Sequence, residues 1–306
     1  MKKDISRFWK AILILLSCLI IFDFIIGTAL DKIFVSLPLS PTEVSKLSYR
    51  FKSTNDDVVF VGSSRCRHHF VTNQISDSLD NIGLKDLKVY NYGIDGMYAN
   101  SSLMMIESML QRCTPKMVIL ETECLEFGYD EVFMKGITSA SPLYWKDKVV
   151  KHYIDGLGIS EKIPMLVNMW RYKGAMPIRL LRSITVKGDS LNGYLPLYNK
   201  MTVYTVNGKS AEKIKLRPYT ISNFNRVAQL CRKNNVKLIL VSTPKFKSSS
   251  DNCALNELCK KCNVIYIDDY CVFDNDPKWF SDKGHLNDEG AHIFTSLFFS
   301  QLKPFL

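Results

Sequence analysis

The chain has 306 residues, of which 46% are hydrophobic and 23% charged, with a formal net charge of +10. This suits one large α/β domain, or two small ones, with a sizeable buried core, and no internal repeat or low-complexity tract points elsewhere. The charge is uneven: residues 146–215 hold 13 Lys and Arg against 5 Asp and Glu, and the first ten residues hold 4 against 1. A local basic excess of this kind suits an anionic partner such as lipid headgroups, an acidic glycan or a phosphate-bearing donor, or simply a solvated basic surface.

Lys2, Lys3, Arg7 and Lys10 precede the apolar run Ala11 to Phe22, which resumes after Asp23 and ends at Leu30. About twenty apolar residues cross a hydrocarbon core of roughly 30 Å. The expectation is a cytoplasmic tail over 1–10 and a single-pass anchor over 11–30. Positive charge before the span places the rest of the chain outside the cytoplasm, periplasmic or at the cell surface. Gly27-Thr28-Ala29 as a cleavage site and Leu15 to Cys18 as a lipidation box are weaker readings, because the apolar stretch is long for either. Asp23 would cost ~3 kcal/mol at the centre of a bilayer, and it falls in the outer half. Nucleic acid is not an expected partner behind such an anchor.

Residues 31–55, with Pro38 and Pro41, read as a polar spacer, and 56–306 as the folded domain. Five apolar runs follow: Asp57 to Gly62, Leu87 to Gly93, Lys116 to Glu121, Val236 to Ser242 and Asn263 to Asp269. Continuous rather than alternating strands belong to a parallel sheet covered on both faces. Helical spacing marks Tyr98 to Gln111, Ser222 to Asn234, Ala254 to Cys262 and Asp288 to Leu302. The predicted fold is α/β, a doubly wound and mainly parallel five-stranded sheet.

Residues 125–217 break this rhythm. They carry scattered aromatics, among them Tyr144, Trp145, Tyr153, Trp170, Tyr172 and Tyr194, together with the basic excess. They are expected to form an inserted cap beside the site. Of nine cysteines, Cys253, Cys259, Cys262 and Cys271 cluster late. An oxidising compartment would favour one or two disulfides there, whereas Cys259 and Cys262 on a helix suit small buried side chains better than zinc ligands.

The first strand ends in Gly62-Ser63-Ser64. A serine at the carboxyl end of a parallel strand faces the ligand crevice, and a following helix N-terminus offers N–H groups to a developing oxyanion. Alone, such a serine is more often a helix cap. Asp282 and His285 stand three apart before the last helix, where a carboxylate can orient an imidazole as a base. Arg65 and Arg67 follow the serine and either grip an anionic substrate or pair with nearby acids. His68 and His69 make a poor metal site, lacking a third ligand at suitable spacing.

Three stretches together resemble the SGNH, or GDSL-like, hydrolase superfamily. VFVGSSR (59–65) matches the first block and gives Ser64 as nucleophile. NYGIDG (91–96) matches the second and gives Gly96 as an oxyanion donor beside the Ser64 N–H. SDKGHLNDEG (281–290) matches the last and gives Asp282 and His285. The resemblance covers roughly 57–124 and 236–306. It implies a flavodoxin-like fold without a cofactor, and two-step acyl transfer by an esterase or O-acyltransferase. Ser63 replaces the usual Asp, as in membrane-anchored members linked to acylation of envelope polymers. With the anchor and the basic insert, this points to an envelope or secreted polysaccharide as substrate, and to other polysaccharide-modifying proteins of the envelope as partners. The third block departs from the pattern, with Glu121 and Glu123 where an Asn is usual. A carboxylate does not donate unless protonated, so these two are candidates for orienting a substrate hydroxyl instead. That departure also motivates a second reading, a non-catalytic glycan-binding or assembly subunit on the same fold. A zinc-dependent deacetylase lacks ligands.

Overall fold

The structure is a computed structural model and describes residues 2–49, 55–128, 136–186, 188–202, 215–246, 252–273 and 276–306. A single helix, α1, runs over Lys2–Ser36. It contains no proline and stops just before Pro38, so nothing in the backbone chemistry interrupts it. Its stretch Ser6–Ser36 is long and apolar enough to cross a membrane, and its apolar side chains from Phe8 to Ile25 stand exposed.

Behind α1, a short helix α2 covers Glu43–Tyr49. The strands are β1 (Val58–Val61), β2 (Val89–Asn91), β3 (Met117–Glu121), β4 (Lys237–Ser242) and β5 (Ile265–Asp268). All pair in parallel, in the order β2-β1-β3-β4-β5. The order reverses between β1 and β3, which opens a crevice at their carboxyl ends.

Helices cover both faces, as continuous apolar strands require. On one face lie α5 (Ala99–Met109), α10 (Pro218–Lys233) and α11 (Cys253–Cys262), packed on Val59, Val118, Leu120, Leu238 and Leu240. On the other lie α3 (Ser64–His69), α4 (Thr72–Asn81) and α12 (Asp288–Leu302), packed on Val58, Phe60, Ile119, Ile239 and Val241. A short helix α6 (Cys124–Gly128) follows β3. The strand residues alternate between the two cores, as the two-residue period of a strand dictates. Cys259 and Cys262 are buried on α11, while Cys253 and Cys271 are exposed.

Two boundary expectations change. Residues 31–49 are not a polar spacer. Phe34, Leu37, Val44 and Leu47 are buried in a third core, because every third or fourth residue there is apolar. Lys46 is fully buried and donates from Nζ to the carbonyls of Gly193 (2.6 Å) and Gly93 (3.3 Å). Helix α1 likewise continues past Leu30, the expected end of the apolar span, into this core.

The described part of the 125–217 insert is ordered as α7 (Lys148–Gly156), α8 (Ile159–Lys162), α9 (Met176–Thr185) and 3₁₀ turns over Gly136–Leu143, Ile163–Leu166 and Met169–Tyr172. Its first half packs with α1, α2 and α5 in the third core, through Ile137, Val150, Tyr153 and Tyr172. Its second half, 188–202, runs as an irregular strap along α3 and the loop before α12: the Leu195 N–H donates to Arg67 O and the Asp288 N–H to Leu197 O. Residues 129–135, 187 and 203–214 of the proposed insert lie outside the described residues.

Candidate active site

β1 delivers the chain to Gly62 at the carboxyl edge of the sheet. A Cβ there would come within 2.8 Å of Cys66 Cβ and of Glu121 O, so only glycine lets β1 turn into α3 against β3. Ser63 is the N-cap; its Oγ accepts the Arg65 N–H at 3.3 Å and donates to Glu121 Oε2 at 3.1 Å. The capping role thus falls to Ser63. Ser64 is the first helical residue, and its side chain is left for another partner. Its N–H has no intrahelical acceptor at that position.

That partner is His285. Its Nε2 lies 2.7 Å from Ser64 Oγ, and its Nδ1 lies 2.9 Å from both carboxylate oxygens of Asp282. The loop is shaped by the same carboxylate: Asp282 Oδ1 accepts the N–H groups of Gly284 (2.7 Å) and His285 (3.0 Å). Burial works to raise the Asp282 pKa, but the bonds from His285 and the Gly284 N–H outweigh it and hold the carboxyl below its ordinary range. An ionised Asp282 therefore holds Nδ1–H and leaves Nε2 facing the serine hydroxyl. Ser64, His285 and Asp282 are brought together in one hydrogen-bonded line.

His69 supports that line from behind. It is fully buried, and burial pushes its pKa well below the ordinary histidine value, so it is neutral. Its Nε2 accepts the Leu286 N–H at 3.0 Å, which leaves the proton on Nδ1 to donate to Thr243 Oγ1 at 2.9 Å. Thr243 in turn donates to Glu121 Oε1 at 3.3 Å. A polar chain thus ties the residue after His285 to the ends of β4 and β3. His68 is buried beside it, its Nδ1 donating to Leu195 O at 2.6 Å and its ring set edge-on to His285 at 5.5 Å.

Arg65, Glu121 and Glu123, offered by the sequence as substrate-binding groups, do not face the crevice. Each is at least nine-tenths buried, and together with Glu126 they form an ion cluster beneath α3. Arg65 meets Glu121 at 3.1 Å, Glu123 at 3.4 Å and Glu126 at 3.0 Å. Lys245 reaches Glu123 at 2.9 Å. The reason is positional: Arg65 is the second residue of a helix whose buried side overlies β3, so its side chain turns inward onto the acids that end that strand. Burial raises the Glu126 pKa to about 8 against the pull of Arg65, with Glu121 and Glu123 adding to the rise. Glu123 is depressed, since Arg65 and then Lys245 outweigh its burial. Burial, with Glu123 adding, raises Glu121 too, so the fold pushes both Glu126 and Glu121 towards the protonated form while Glu123 is held the other way.

Gly96 lies in the turn after β2 with φ +75° and open space where a Cβ would project, so backbone conformation alone demands glycine there. Next to it, Asp95 pairs with Arg67 at 3.0 Å. Arg67 and Asp95 line a cavity of about 450 Å³ together with Arg179 and Arg182 of α9 and with Thr42 and Glu43. Arg67, in its lining, stands one helical turn after Ser64 on α3. Asp95, His69, Thr243 and the α9 arginines carry no sequence signal of their own; contact across the fold assembles them.

Asn91, in the second block, is fully buried and organises the turn: its amide donates to Cys66 O at 2.7 Å and its Oδ1 accepts the Gly93 N–H at 2.8 Å.

No family model and no curated protein matches the chain by sequence. Among solved structures it is similar to the acetyl xylan esterase AlAXEase at 14% identity and a TM-score of 0.42, over 80% of this chain and 98% of that one. It is similar to TesA at 12% identity and a TM-score of 0.45, over 81% and 99%. It is also similar to the psychrotrophic esterase EstA from Pseudoalteromonas sp. at 10% identity and a TM-score of 0.43, over 82% and 98%. Likeness at this level says nothing of the activity of this chain.

Proposed function

We propose that the chain is a serine-dependent ester hydrolase or O-acyltransferase of the SGNH type, anchored by α1 and acting outside the cytoplasm on an envelope or secreted polysaccharide. The observation that carries the reading is the line from Ser64 Oγ through His285 to Asp282, at 2.7 and 2.9 Å.

In this reading His285 Nε2 takes the Ser64 proton as Oγ attacks an ester carbonyl, and Asp282 stabilises the imidazolium. The N–H groups of Ser64 and Gly96 are assigned to the oxyanion. His285 then returns the proton to the departing alcohol. Water or a sugar hydroxyl attacks the acyl-serine, giving up its proton to His285, and Ser64 leaves with that proton restored. Two donors rather than three hold the oxyanion, because Glu121 and Glu123 are committed to Arg65; losing one donor typically costs roughly 10²–10³ in rate. The cavity has mixed charge, Arg67 being paired with Asp95 and Glu43 and Arg179 with Glu43, which suits a hydroxylated glycan.

Turnover of p-nitrophenyl acetate and acetylated xylan by the full chain in detergent tests the reading. Ser64→Ala and His285→Ala are expected to lower turnover by ~10⁴-fold or more. Asp282→Asn is expected to lower it by roughly 10⁴-fold, through loss of imidazole orientation. A binding-only protein, the reading favoured by the missing amide donor, would bind the glycan equally well as Ser64→Ala and turn over neither ester.

A further inference from the structure

We propose that the Ile159–Trp170 segment of the insert enters the outer leaflet of the bilayer beside α1, so that the protein is held to the membrane by a second, interfacial contact. This rests on the reading of α1 as an uncleaved anchor.

Asp23 lies inside the apolar helix α1. Its carboxylate accepts the N–H of Asn168 (2.9 Å), the side-chain amide of Asn168 (2.8 Å) and the N–H of Met169 (2.8 Å). A carboxylate in an apolar span needs such partners, and here the insert supplies them. Gly27, one turn later, permits the approach: a Cβ there would lie 2.2 Å from Asn168 Cβ. The insert is therefore fastened to the outer half of the apolar run, not to the chain beyond it.

A charged cluster marks the next level. Asp31 pairs with Lys146 at 2.7 Å and with Arg171 at 3.2 Å. At a rise of 1.5 Å per residue, Asp31 stands about 12 Å along the axis from Asp23. With that cluster at headgroup height, the segment around Asn168 lies below it, at a depth close to the ~5–10 Å of interfacial helices.

The side chains at that depth suit hydrocarbon. Ile163 to Trp170 reads IPMLVNMW, whose one polar side chain, Asn168, is the partner of Asp23, and of the two charged residues just before it, Glu161 pairs with Lys173 at 3.5 Å and Lys162 is exposed. Met165 is buried and seats the segment on the domain, whereas Ile159, Ile163 and Leu166 are 72%, 57% and 68% exposed. Contiguous exposure of large apolar side chains is rare on a water-facing surface. Lys173 lies over the Trp170 ring at 5.6 Å, the pairing of amphipathic aromatic and cation that belongs at a membrane–water boundary.

The test uses the full chain in nanodiscs containing lipids brominated near the top of the acyl chain, with single-tryptophan variants that keep either Trp170 or Trp9. Trp170 emission is expected to fall by roughly half with brominated lipid and to resist aqueous iodide. Trp170 open to iodide and untouched by bromine overturns the proposal, and so does Trp170 shielded from both, which would mean a second protein copy on this face. Trp9 separates the two readings: bromine quenching of Trp9 without Trp170 leaves the anchor standing and removes the docking, and quenching of neither removes both. Should the variants misfold, photolabelling of the wild-type chain with a lipid-borne diazirine must mark a peptide within residues 159–170; labelling confined to α1 overturns the proposal equally.

Discussion

Beneath Ser64, Glu126 holds a proton that an exposed glutamate would release. Its ordinary pKa of 4.5 rises to about 8 in the fold, through burial beside Glu121 and Glu123. A carboxyl with a raised folded pKa contributes stability that is complete below about 4.5 and is lost as pH climbs towards 8. Buried, neutral His69 works in the opposite sense, so the informative quantity is a difference between proteins. Glu126→Gln keeps the shape and removes the titration. Its unfolding midpoint, relative to wild type, is expected to shift in the variant's favour between pH 4.5 and 8, and to level off above that. Parallel curves would show that Glu126 is ionised in the fold. At this scale Ser64, Asp282 and His285 are legible in the sequence, because an Asp three residues before a His is a local pattern and a serine after a strand-ending glycine is another. The partners of Arg65 are not legible: a charge after a candidate nucleophile looks solvent-facing until the helix axis shows which side it turns.

The β1–α3 turn is the element that presents Ser64, and its geometry depends on Gly62. In Gly62→Ala the new methyl would press on Cys66 Cβ and Glu121 O, both at 2.8 Å. Backbone must yield, with an expected destabilisation of ~1–3 kcal/mol and a fall in ester turnover as Ser64 moves from His285. Denaturant midpoints and turnover measured together check this; full turnover would show that the turn adapts freely. All five strands were legible as apolar runs, since burial on both faces leaves no polar alternation to obscure them. α4 was not, having only Ile75 and Leu79 as buried apolar positions in TNQISDSLDN. The 3₁₀ turns of the insert escaped for a related reason, their period being neither that of a helix nor of a strand.

The described residues form three cores, and the third joins the N-terminal segment to the insert. Phe34, Leu37 and buried Lys46 make residues 31–49 part of the folded body, so cutting the chain at residue 31 would sever α1 within its packed portion. The spacer reading failed because prolines and serines at 36–48 hid an apolar period that matters only once the insert is in place. The same union brings α2 and α9 together at the cavity lined by Arg67, Arg179 and Arg182. The central claim, that this site makes an acyl-serine, is tested most directly by covalent labelling of the full chain in detergent with a fluorophosphonate and peptide mass mapping. The account expects one adduct, on Ser64, absent in Ser64→Ala and strongly reduced in His285→Ala. A folded wild-type chain that takes no adduct, or takes it on another serine, would contradict it.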